Sequence, residues 1–379
     1  MIKKILLSIA VFATLVVGGG IFYIQSEYAG IGLPWVNSVD LPDFPNLPAP
    51  KATLAEDEQG VLYFATKSPY SLQNALFNFD KAIDTTGMGT LFLPEGASAE
   101  NPVPAMIILH GSGGLREDRE FRYAKWFASE GIAAFVVDYY SVRGVTPDTK
   151  YIYKTLSSSD IDITTDAFSA LKLLADHPAI DAKRIGVTGY SYGGMATRYT
   201  LDARLQQAIA PNYPPFALHI SVYGPCFQTL GSEVTTGAPY MAIYGDEDNS
   251  VEPAFCDILH ERLRAGGSEV SAVMIPGAGH AWENEQPRKV YDFPFVRGCE
   301  FSYTAEGVPT IDGKVIDFPG PDASRGELAF NRVSVHLTAP HCVGNGYIIG
   351  RDIPSDTISK DAMMGFMKQH FFGQVNAVN

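Results

Sequence analysis

The chain alternates apolar runs of strand length with longer segments whose apolar positions recur at helical spacing. The apolar runs predict strands, and the segments between them predict helices. This alternation predicts an α/β fold with a mostly parallel sheet and helices on both faces, while residues 60–65 and 88–93 add antiparallel edge strands. The predicted strands span about 104–110, 132–138, 184–190, 217–223, 239–244 and 269–275. The predicted helices span about 118–130, 160–176, 193–209, 252–266 and 357–371.

A serine lies at one strand-to-helix junction, in the run Gly189-Tyr-Ser-Tyr-Gly-Gly194. Glycines on both sides let the backbone double back, so the turn exposes the hydroxyl of Ser191 above the sheet. The helix that follows directs free N–H groups and its positive dipole end at the same point. Ser191 is therefore the candidate nucleophile.

An acid and a histidine follow Ser191 in the chain order that this type of site requires. Asp248 comes after the apolar run 239–244, and we favour it over Asp246 because the Gly-x-x-Asp spacing leaves room for a turn. His280 lies in the small-residue turn after the run 269–275. His280 would accept the proton of Ser191, and Asp248 would fix the tautomer of the imidazole.

A glycine-rich turn, His110-Gly-Ser-Gly-Gly114, ends the strand predicted at 104–110. We expect Ser112 or Gly113 to direct an N–H group at the oxyanion, with the N–H of Tyr192 as the second donor. A phosphate site is the alternative. The turn lacks the lysine of a Walker loop and the glycine spacing of a dinucleotide site, which disfavours that alternative.

From about residue 60 onward the chain resembles the dienelactone hydrolase family of α/β-hydrolases. The founding members use a cysteine nucleophile, whereas this chain has Ser191. The resemblance implies an eight-stranded, mostly parallel sheet, and hydrolysis of an ester or lactone through an acyl-enzyme with no cofactor or metal. The matching pieces are His110-Gly-Ser-Gly-Gly114, Phe135-Val-Val-Asp-Tyr-Tyr-Ser-Val-Arg-Gly144, Gly189-Tyr-Ser-Tyr-Gly-Gly194, Tyr244-Gly-Asp-Glu-Asp248 and Gly277-Ala-Gly-His280.

Two further residues are candidates for substrate binding. Arg143 follows the strand predicted at 132–138, and its guanidinium either ties a loop to backbone carbonyls or holds a substrate carboxylate. We favour the structural role. Tyr190, next to Ser191, is the second candidate.

Residues 282–354 do not fit the alternation, being aromatic and rich in Gly and Pro. A segment of this length inside a domain is usually a lid, a binding flap or a disulfide-tied subdomain. Because it begins two residues after His280, we expect it to border the pocket and shape the substrate range. The alternative is a surface decoration without a catalytic role.

The N-terminus predicts the compartment. Two lysines precede an uncharged stretch from Ile5 to Ile24, which is typical of a signal peptide or an N-terminal membrane anchor, and we favour an uncleaved anchor. We therefore expect residues 1–29 to tether an exported protein, periplasmic or otherwise extracytoplasmic, to the inner membrane. Residues 30–55 are a predicted Pro-rich linker, and residues 56–375 a hydrolase domain.

The cysteines agree with export, since an even number in an exported chain predicts disulfides. Four cysteines permit three pairings, and one of these joins Cys226 to Cys256 beside Asp248 and leaves Cys299 and Cys342 to close the later segment. The four are Cys226, Cys256, Cys299 and Cys342. A metal site at Cys299, His341 and Cys342 is disfavoured, because the usual ligand spacings are missing.

A net charge of −14 and the lack of a basic stripe argue against nucleic acid as a partner. The sequence thus predicts a serine hydrolase with a small-molecule ester or lactone substrate, and its oligomeric state stays open. A peptidase or an acyltransferase could use the same intermediate. A non-catalytic binding protein on a hydrolase scaffold is the remaining alternative.

Overall fold

The computed structural model describes residues 37–51, 53–232 and 234–373, but not the side chains of residues 334–338. The predicted signal peptide or anchor, residues 1–29, lies outside the described residues. Within the described part of the chain, no helix is both long enough and apolar enough to cross a membrane.

Eight strands form the main sheet, in the order β1-β2-β4-β3-β5-β6-β7-β8. The two pairs β1·β2 and β2·β4 are antiparallel, and every other neighbouring pair is parallel. The α/β fold with a mostly parallel eight-stranded sheet is therefore confirmed. The strands are β1 (Gly60–Ser68), β2 (Ile83–Phe92), β3 (Val103–Leu109), β4 (Ala133–Val137), β5 (Ile180–Tyr190), β6 (His219–Val222), β7 (Tyr240–Gly245) and β8 (Val270–Ile275).

Helices cover both faces of this sheet, as strand β3 illustrates. Ala105, Ile107 and Leu109 pack into the core on one face, whereas Met106 and Ile108 pack into the core on the other. Burying a side chain of this kind stabilises the fold by about 1.5–3 kcal/mol. The helices are α1 (Leu72–Phe77), α2 (Arg122–Ser129), α3 (Tyr151–Ser157), α4 (Asp160–Ala175), α5 (Tyr192–Tyr199), α6 (Ala203–Ile209), α7 (Pro253–Ala265), α8 (Arg325–Thr338) and α9 (Ile353–Phe372).

The prediction of a single helix at 193–209 is wrong, because the structure has two helices there, α5 and α6. Asp202 lies between them, and its side chain accepts a hydrogen bond of 2.8 Å from the N–H of Arg204. An aspartate that caps a helix in this way starts a new helix. The short helices α1 and α3 were not predicted, and residues Glu117–Phe121 form a π-helical turn before α2.

Part of the predicted linker 30–55 packs against the domain. Val39 is buried beside Leu328 of α8, and its N–H donates to the carbonyl of Gly326. The Arg325 guanidinium lies 4.5 Å from the centre of the Phe44 ring and donates to the carbonyl of Pro42. The apolar side chains of this stretch gain burial there, which an extended spacer would not offer.

Residues 282–354 carry their own secondary structure. Strands β9 (Lys289–Val296) and β13 (Val343–Ile349) form a two-stranded antiparallel sheet, and β10 (Phe301–Tyr303), β11 (Pro309–Ile311) and β12 (Lys314–Val315) form a three-stranded one. A disulfide between Cys299 and Cys342 ties this segment together, and a second disulfide joins Cys226 to Cys256 of α7.

Candidate active site

Ser191 lies at a sharp turn between β5 and α5. Its backbone has φ 55° and ψ −115°, a conformation that non-glycine residues rarely adopt. The Ser191 N–H donates to the carbonyl of Val222, and the Ser191 carbonyl accepts from the N–H of Met195, so both sides of the turn are held in place. Strain of this kind persists where the surroundings fix it, and it is common at functional sites.

The two flanking glycines are required by close backbone contacts. A methyl group on Gly189 would lie 2.2 Å from the carbonyl oxygen of Gly193. A methyl group on Gly193 would lie 2.4 Å from the carbonyl oxygens of His110 and Leu109. The second contact shows that the serine turn packs directly against the end of β3 and the glycine-rich turn after it.

The three predicted catalytic side chains lie in one hydrogen-bonded line. The Oγ atom of Ser191 is 3.0 Å from Nε2 of His280, and Nδ1 of His280 is 2.6 Å from Oδ2 of Asp248. Asp248 is fully buried and His280 is nearly so, whereas Ser191 is half-buried. This geometry allows a proton to pass from the serine to the imidazole while the carboxylate orients the ring.

The choice between the two aspartates follows from their contacts. Asp246 is exposed, and its Oδ1 accepts a 2.6 Å hydrogen bond from the N–H of Gly277. Asp248 instead receives the N–H of Ser250 at 3.0 Å and the Ser250 hydroxyl at 2.6 Å on its Oδ1. Ser250 was not predicted from the sequence, and its hydroxyl also lies 3.2 Å from Nδ1 of His280.

The residues predicted to form the oxyanion hole lie in two neighbouring turns. Tyr192 belongs to the serine turn, and Ser112 and Gly113 belong to the turn after β3. Tyr192 is the first residue of α5, so its N–H is a donor without an intrahelical partner. Ser112 and Gly113 form the centre of a turn that is closed by a hydrogen bond from the N–H of Gly114 to the carbonyl of Gly111. A methyl group on Gly111 would lie 3.3 Å from the carbonyl oxygen of Tyr190, which places this turn beside the residue that precedes Ser191.

The assignment of Arg143 to substrate binding is corrected by its burial. Arg143 is fully buried and donates to the carbonyl of Tyr139 at 2.9 Å and to Asp166 of α4 at 2.6 Å. It also lies 3.9 Å from the carboxylate of Asp162. These contacts tie the loop after β4 to α4, which is the structural role that we favoured.

The assignment of Tyr190 to substrate binding is also corrected by its burial. Its side chain is fully buried beneath the site, and its ring lies 5.3 Å from that of Tyr123 and 6.0 Å from that of Tyr223. Successive side chains of a strand point to opposite faces. Adjacency to Ser191 in the sequence therefore does not bring Tyr190 to the substrate.

A buried ionic cluster lies behind the predicted catalytic triad, and the sequence analysis did not predict it. The Arg119 guanidinium lies 2.5 Å from Glu120 and 3.7 Å from Glu283, and it donates to the carbonyl of Gly114. The hydroxyl of Tyr223 donates to Glu283, and the Tyr223 ring lies 4.4 Å from the His280 ring. Burial raises the pKa of the Glu120 carboxyl, although Arg119 opposes this shift. The cluster thus links the oxyanion turn to the segment after His280.

A second histidine near the serine turn is unsuited to act as the base. His110 is fully buried, and its ring stacks 3.5 Å from that of Tyr139. Burial lowers the pKa of His110 to about 4. The ring is therefore a weak base at neutral pH. Its Nδ1 lies 2.8 Å from the carbonyl oxygen of Gly111, with which it forms a hydrogen bond.

The segment 282–354 contacts the catalytic residues, as expected from its position. The His280 N–H donates to the carbonyl of Ile348 in β13 at 2.7 Å, and the ring of Tyr347 lies 5.3 Å from the imidazole. Arg332 of α8 donates to the hydroxyl of Tyr192 at 2.6 Å. The segment therefore holds both the base and the first residue of α5.

The side chains of Cys299, His341 and Cys342 lie close enough together to hold a metal ion. The two cysteines are joined in a disulfide, so neither can offer a thiolate. The residues therefore do not fit a metal site, because a cysteine binds a metal ion as its thiolate and only His341 is left as a ligand.

A family model and curated relatives are similar to this chain. A sequence model described as the dienelactone hydrolase family matches residues 89–307. A Methylorubrum extorquens protein named as a carboxymethylenebutenolidase is 21% identical over 248 residues, covering 62% of this chain and 77% of that protein. Esterase FrsA of Yersinia pestis is 24% identical over 180 residues, covering 45% of this chain and 39% of that protein.

Solved structures resemble the chain at lower identity. One is a dienelactone hydrolase-like promiscuous phosphotriesterase from metagenomic libraries, which is 14% identical with a TM-score of 0.48 and covers 82% of this chain and 99% of that one. Another is a dienelactone hydrolase homologue from Klebsiella pneumoniae, which is 20% identical with a TM-score of 0.41 and covers 59% of this chain and 88% of that one.

Proposed function

The chain belongs to the dienelactone hydrolase family and is a carboxylic ester hydrolase, and on this premise we propose that it cleaves esters or lactones through an acyl-enzyme on Ser191. The observation that carries the proposal is the hydrogen-bonded line from Ser191 through His280 to Asp248, with distances of 3.0 Å and 2.6 Å. The half-buried serine leaves its hydroxyl within reach of a substrate carbonyl.

In the first half of the reaction, the Ser191 oxygen attacks the carbonyl carbon while Nε2 of His280 takes the hydroxyl proton. Asp248 holds the neutral imidazole with its Nδ1–H turned away from Ser191 and stabilises the imidazolium that forms. The N–H of Tyr192 and an N–H from the turn at Ser112 and Gly113 stabilise the oxyanion, which is the largest single contribution in most acyl transfers.

In the second half, His280 returns the proton to the leaving alcohol, and the acyl group stays on Ser191 as an ester. Water then attacks the carbonyl carbon of this ester while His280 takes one of its protons. The bond from that carbon to the Ser191 oxygen breaks, His280 gives the proton to that oxygen, and the carboxylic acid leaves. Each bond made to Ser191 is broken in the cycle, so no cofactor is needed.

The experiment compares the wild type with Ser191→Ala on 4-nitrophenyl acetate and butanoate, with the released acid identified by chromatography. We expect hydrolysis by the wild type and a loss of about a thousandfold or more in kcat for the variant. Equal rates for the two proteins would refute the nucleophile. Amide cleavage at comparable rates would favour a peptidase, and transfer to an added alcohol in place of water would favour an acyltransferase.

We further propose that the enzyme works in an oxidising, extracytoplasmic compartment, to which the N-terminal segment delivers and tethers it. The two disulfides support this, since such bonds persist in oxidising compartments and are rare in the cytosol. Protein alkylated under denaturing, non-reducing conditions directly from its native cells should carry no label on Cys226, Cys256, Cys299 or Cys342. Labelling of all four would contradict this location.

A further inference from the structure

Four aromatic side chains are grouped on the two-stranded sheet β9·β13. Tyr291, Phe293 and Phe295 occupy alternate positions of β9, and Tyr347 pairs with Tyr291 across the strands. The pairing register shifts between Asn345 and Tyr347, so alternation does not carry through the whole of β9, and ring contacts define the group. The rings of Tyr291 and Phe293 stack at 6.3 Å, and those of Phe295 and Tyr347 meet at 5.8 Å. We refer to these four side chains as the aromatic face.

The aromatic face reaches both sides of the reaction centre. On one side, the Tyr347 ring lies 5.3 Å from the His280 ring. On the other side, the Phe293 ring lies 5.8 Å from that of Tyr151 in α3, whose hydroxyl is 2.9 Å from the Oγ atom of Ser112. Because His280 and the turn at Ser112 flank Ser191, the rings of Tyr347 and Tyr151 lie on two sides of the reaction centre.

Two of the rings remain available to a ligand. Phe293 is 39% exposed and Tyr151 is 40% exposed, although both lie against neighbouring rings. Single exposed apolar side chains are common and need no explanation. Two half-exposed aromatic rings in contact beside a reactive serine form a surface suited to a flat apolar group, since such rings stack in offset or edge-to-face arrangements.

We propose that the aromatic face, together with Tyr151, binds an aromatic ring of the substrate, so that the enzyme prefers aryl-bearing esters to aliphatic esters of similar size. This inference rests on the proposed ester hydrolysis and deepens it. Tyr151 and β9 lie within the residues 89–307 that the family model matches, whereas β13, which carries Tyr347, lies beyond them.

The test measures kcat/KM in a pH-stat for two matched pairs of substrates. Ethyl 3-phenylpropanoate against ethyl hexanoate probes a ring in the acyl group, and benzyl acetate against hexyl acetate probes a ring in the alcohol. The variants are Phe293→Ala, Phe293→Leu and Val290→Ala. Val290 is 64% exposed and directly precedes Tyr291 in β9, so its side chain points to the face opposite Tyr291. Because the Phe293 ring stacks on that of Tyr291, Val290 is the matched control.

We expect Phe293→Ala and Phe293→Leu to lower kcat/KM for at least one aryl ester by about 2- to 12-fold, the value of one aromatic contact. The matched aliphatic ester should change by less than about twofold, and Val290→Ala should change neither. A loss shared equally by aryl and aliphatic esters would overturn the proposal and assign Phe293 a purely structural role. A wild type without aryl preference in either pair would also overturn it.

Calorimetry separates this inference from the proposed reaction. Ethyl 3-phenylpropanoate and benzyl acetate are titrated into Ser191→Ala, which retains the aromatic face, and into Ser191→Ala with Phe293→Ala. Binding of either ester that weakens in the double variant supports the inference even if the wild type hydrolyses nothing. Absence of binding to Ser191→Ala, while the wild type hydrolyses the aliphatic esters, refutes the inference and leaves the proposed function intact.

Discussion

Replacing Asp248 with asparagine keeps the shape of the side chain but is expected to place the proton of His280 on the wrong nitrogen. The Oδ1 position of Asp248 receives two hydrogen bonds from Ser250, one from its N–H at 3.0 Å and one from its hydroxyl at 2.6 Å. An N–H can only donate, so the single oxygen of the asparagine amide will face Ser250. The NH2 group will then face Nδ1 of His280.

An NH2 donor opposite Nδ1 requires a lone pair on that nitrogen, so the ring proton moves to Nε2. Nε2 lies 3.0 Å from the Ser191 oxygen, and once protonated it cannot accept the serine proton. In serine hydrolases with this triad, the same exchange lowers kcat by about ten-thousandfold. This loss corresponds to about 5.4 kcal/mol of transition-state stabilisation.

The assay follows the initial rate of 4-nitrophenyl butanoate hydrolysis at neutral pH, with Asp246→Asn as the matched control. Asp246 lies two residues earlier in the same loop, but it is exposed and accepts from the N–H of Gly277. We expect Asp246→Asn to keep most of the wild-type kcat. The reasoning is refuted if Asp248→Asn keeps more than about a tenth of kcat, or if the control falls as far.

Three further predictions concern stability. Ser250→Ala removes a hydrogen bond to a buried carboxylate, and in urea unfolding it should cost about 1.5–3 kcal/mol, whereas an unchanged midpoint would contradict this. Glu283→Gln weakens the contact with Arg119 and should lower the free energy of unfolding in urea by a similar amount. The loss stays in this range because Arg119 keeps Glu120 as a partner. Burial lowers the pKa of His219 to about 3 and those of His110 and His260 to about 4. Below about pH 6.5 these histidines bind protons in the unfolded chain but stay neutral in the folded chain, so the free energy of unfolding falls as the pH falls. Each histidine lowers it by about 1.4 kcal/mol per pH unit until the pH reaches its folded pKa, and none lowers it above about pH 6.5. Urea unfolding across this range should show that slope, and His219→Leu should reduce it by one proton, while an unchanged slope would contradict the assignment.

The order of elements and of the catalytic residues could be predicted because both depend on local signals. Ser191 and Asp248 lie in turns directly after strands whose apolar residues are buried, and His280 follows the edge strand β8, which is also mostly apolar. The carboxyl ends of parallel strands meet at one edge of the sheet, so residues distant in the sequence converge there.

The remaining features depend on which way a side chain faces, which the sequence does not show. Arg143 and Tyr190 are adjacent to plausible site residues, yet their side chains point into the core. Tyr347 reaches His280 only because β13 returns to pair with β9, and an alternation of aromatic residues in 289–295 was the one available signal. Ser250 could have been found from its spacing, since an aspartate commonly accepts from the backbone N–H two residues further on.

The central claim is that Ser191 carries the acyl group, and covalent labelling tests it most directly. A fluorophosphonate reacts with a serine whose hydroxyl is activated by a neighbouring base. Peptide mass spectrometry of the labelled wild type should locate a single adduct on Ser191, and Ser191→Ala and His280→Ala should remain unlabelled. Labelling that persists in Ser191→Ala, or an adduct on another residue of the wild type, would contradict the account.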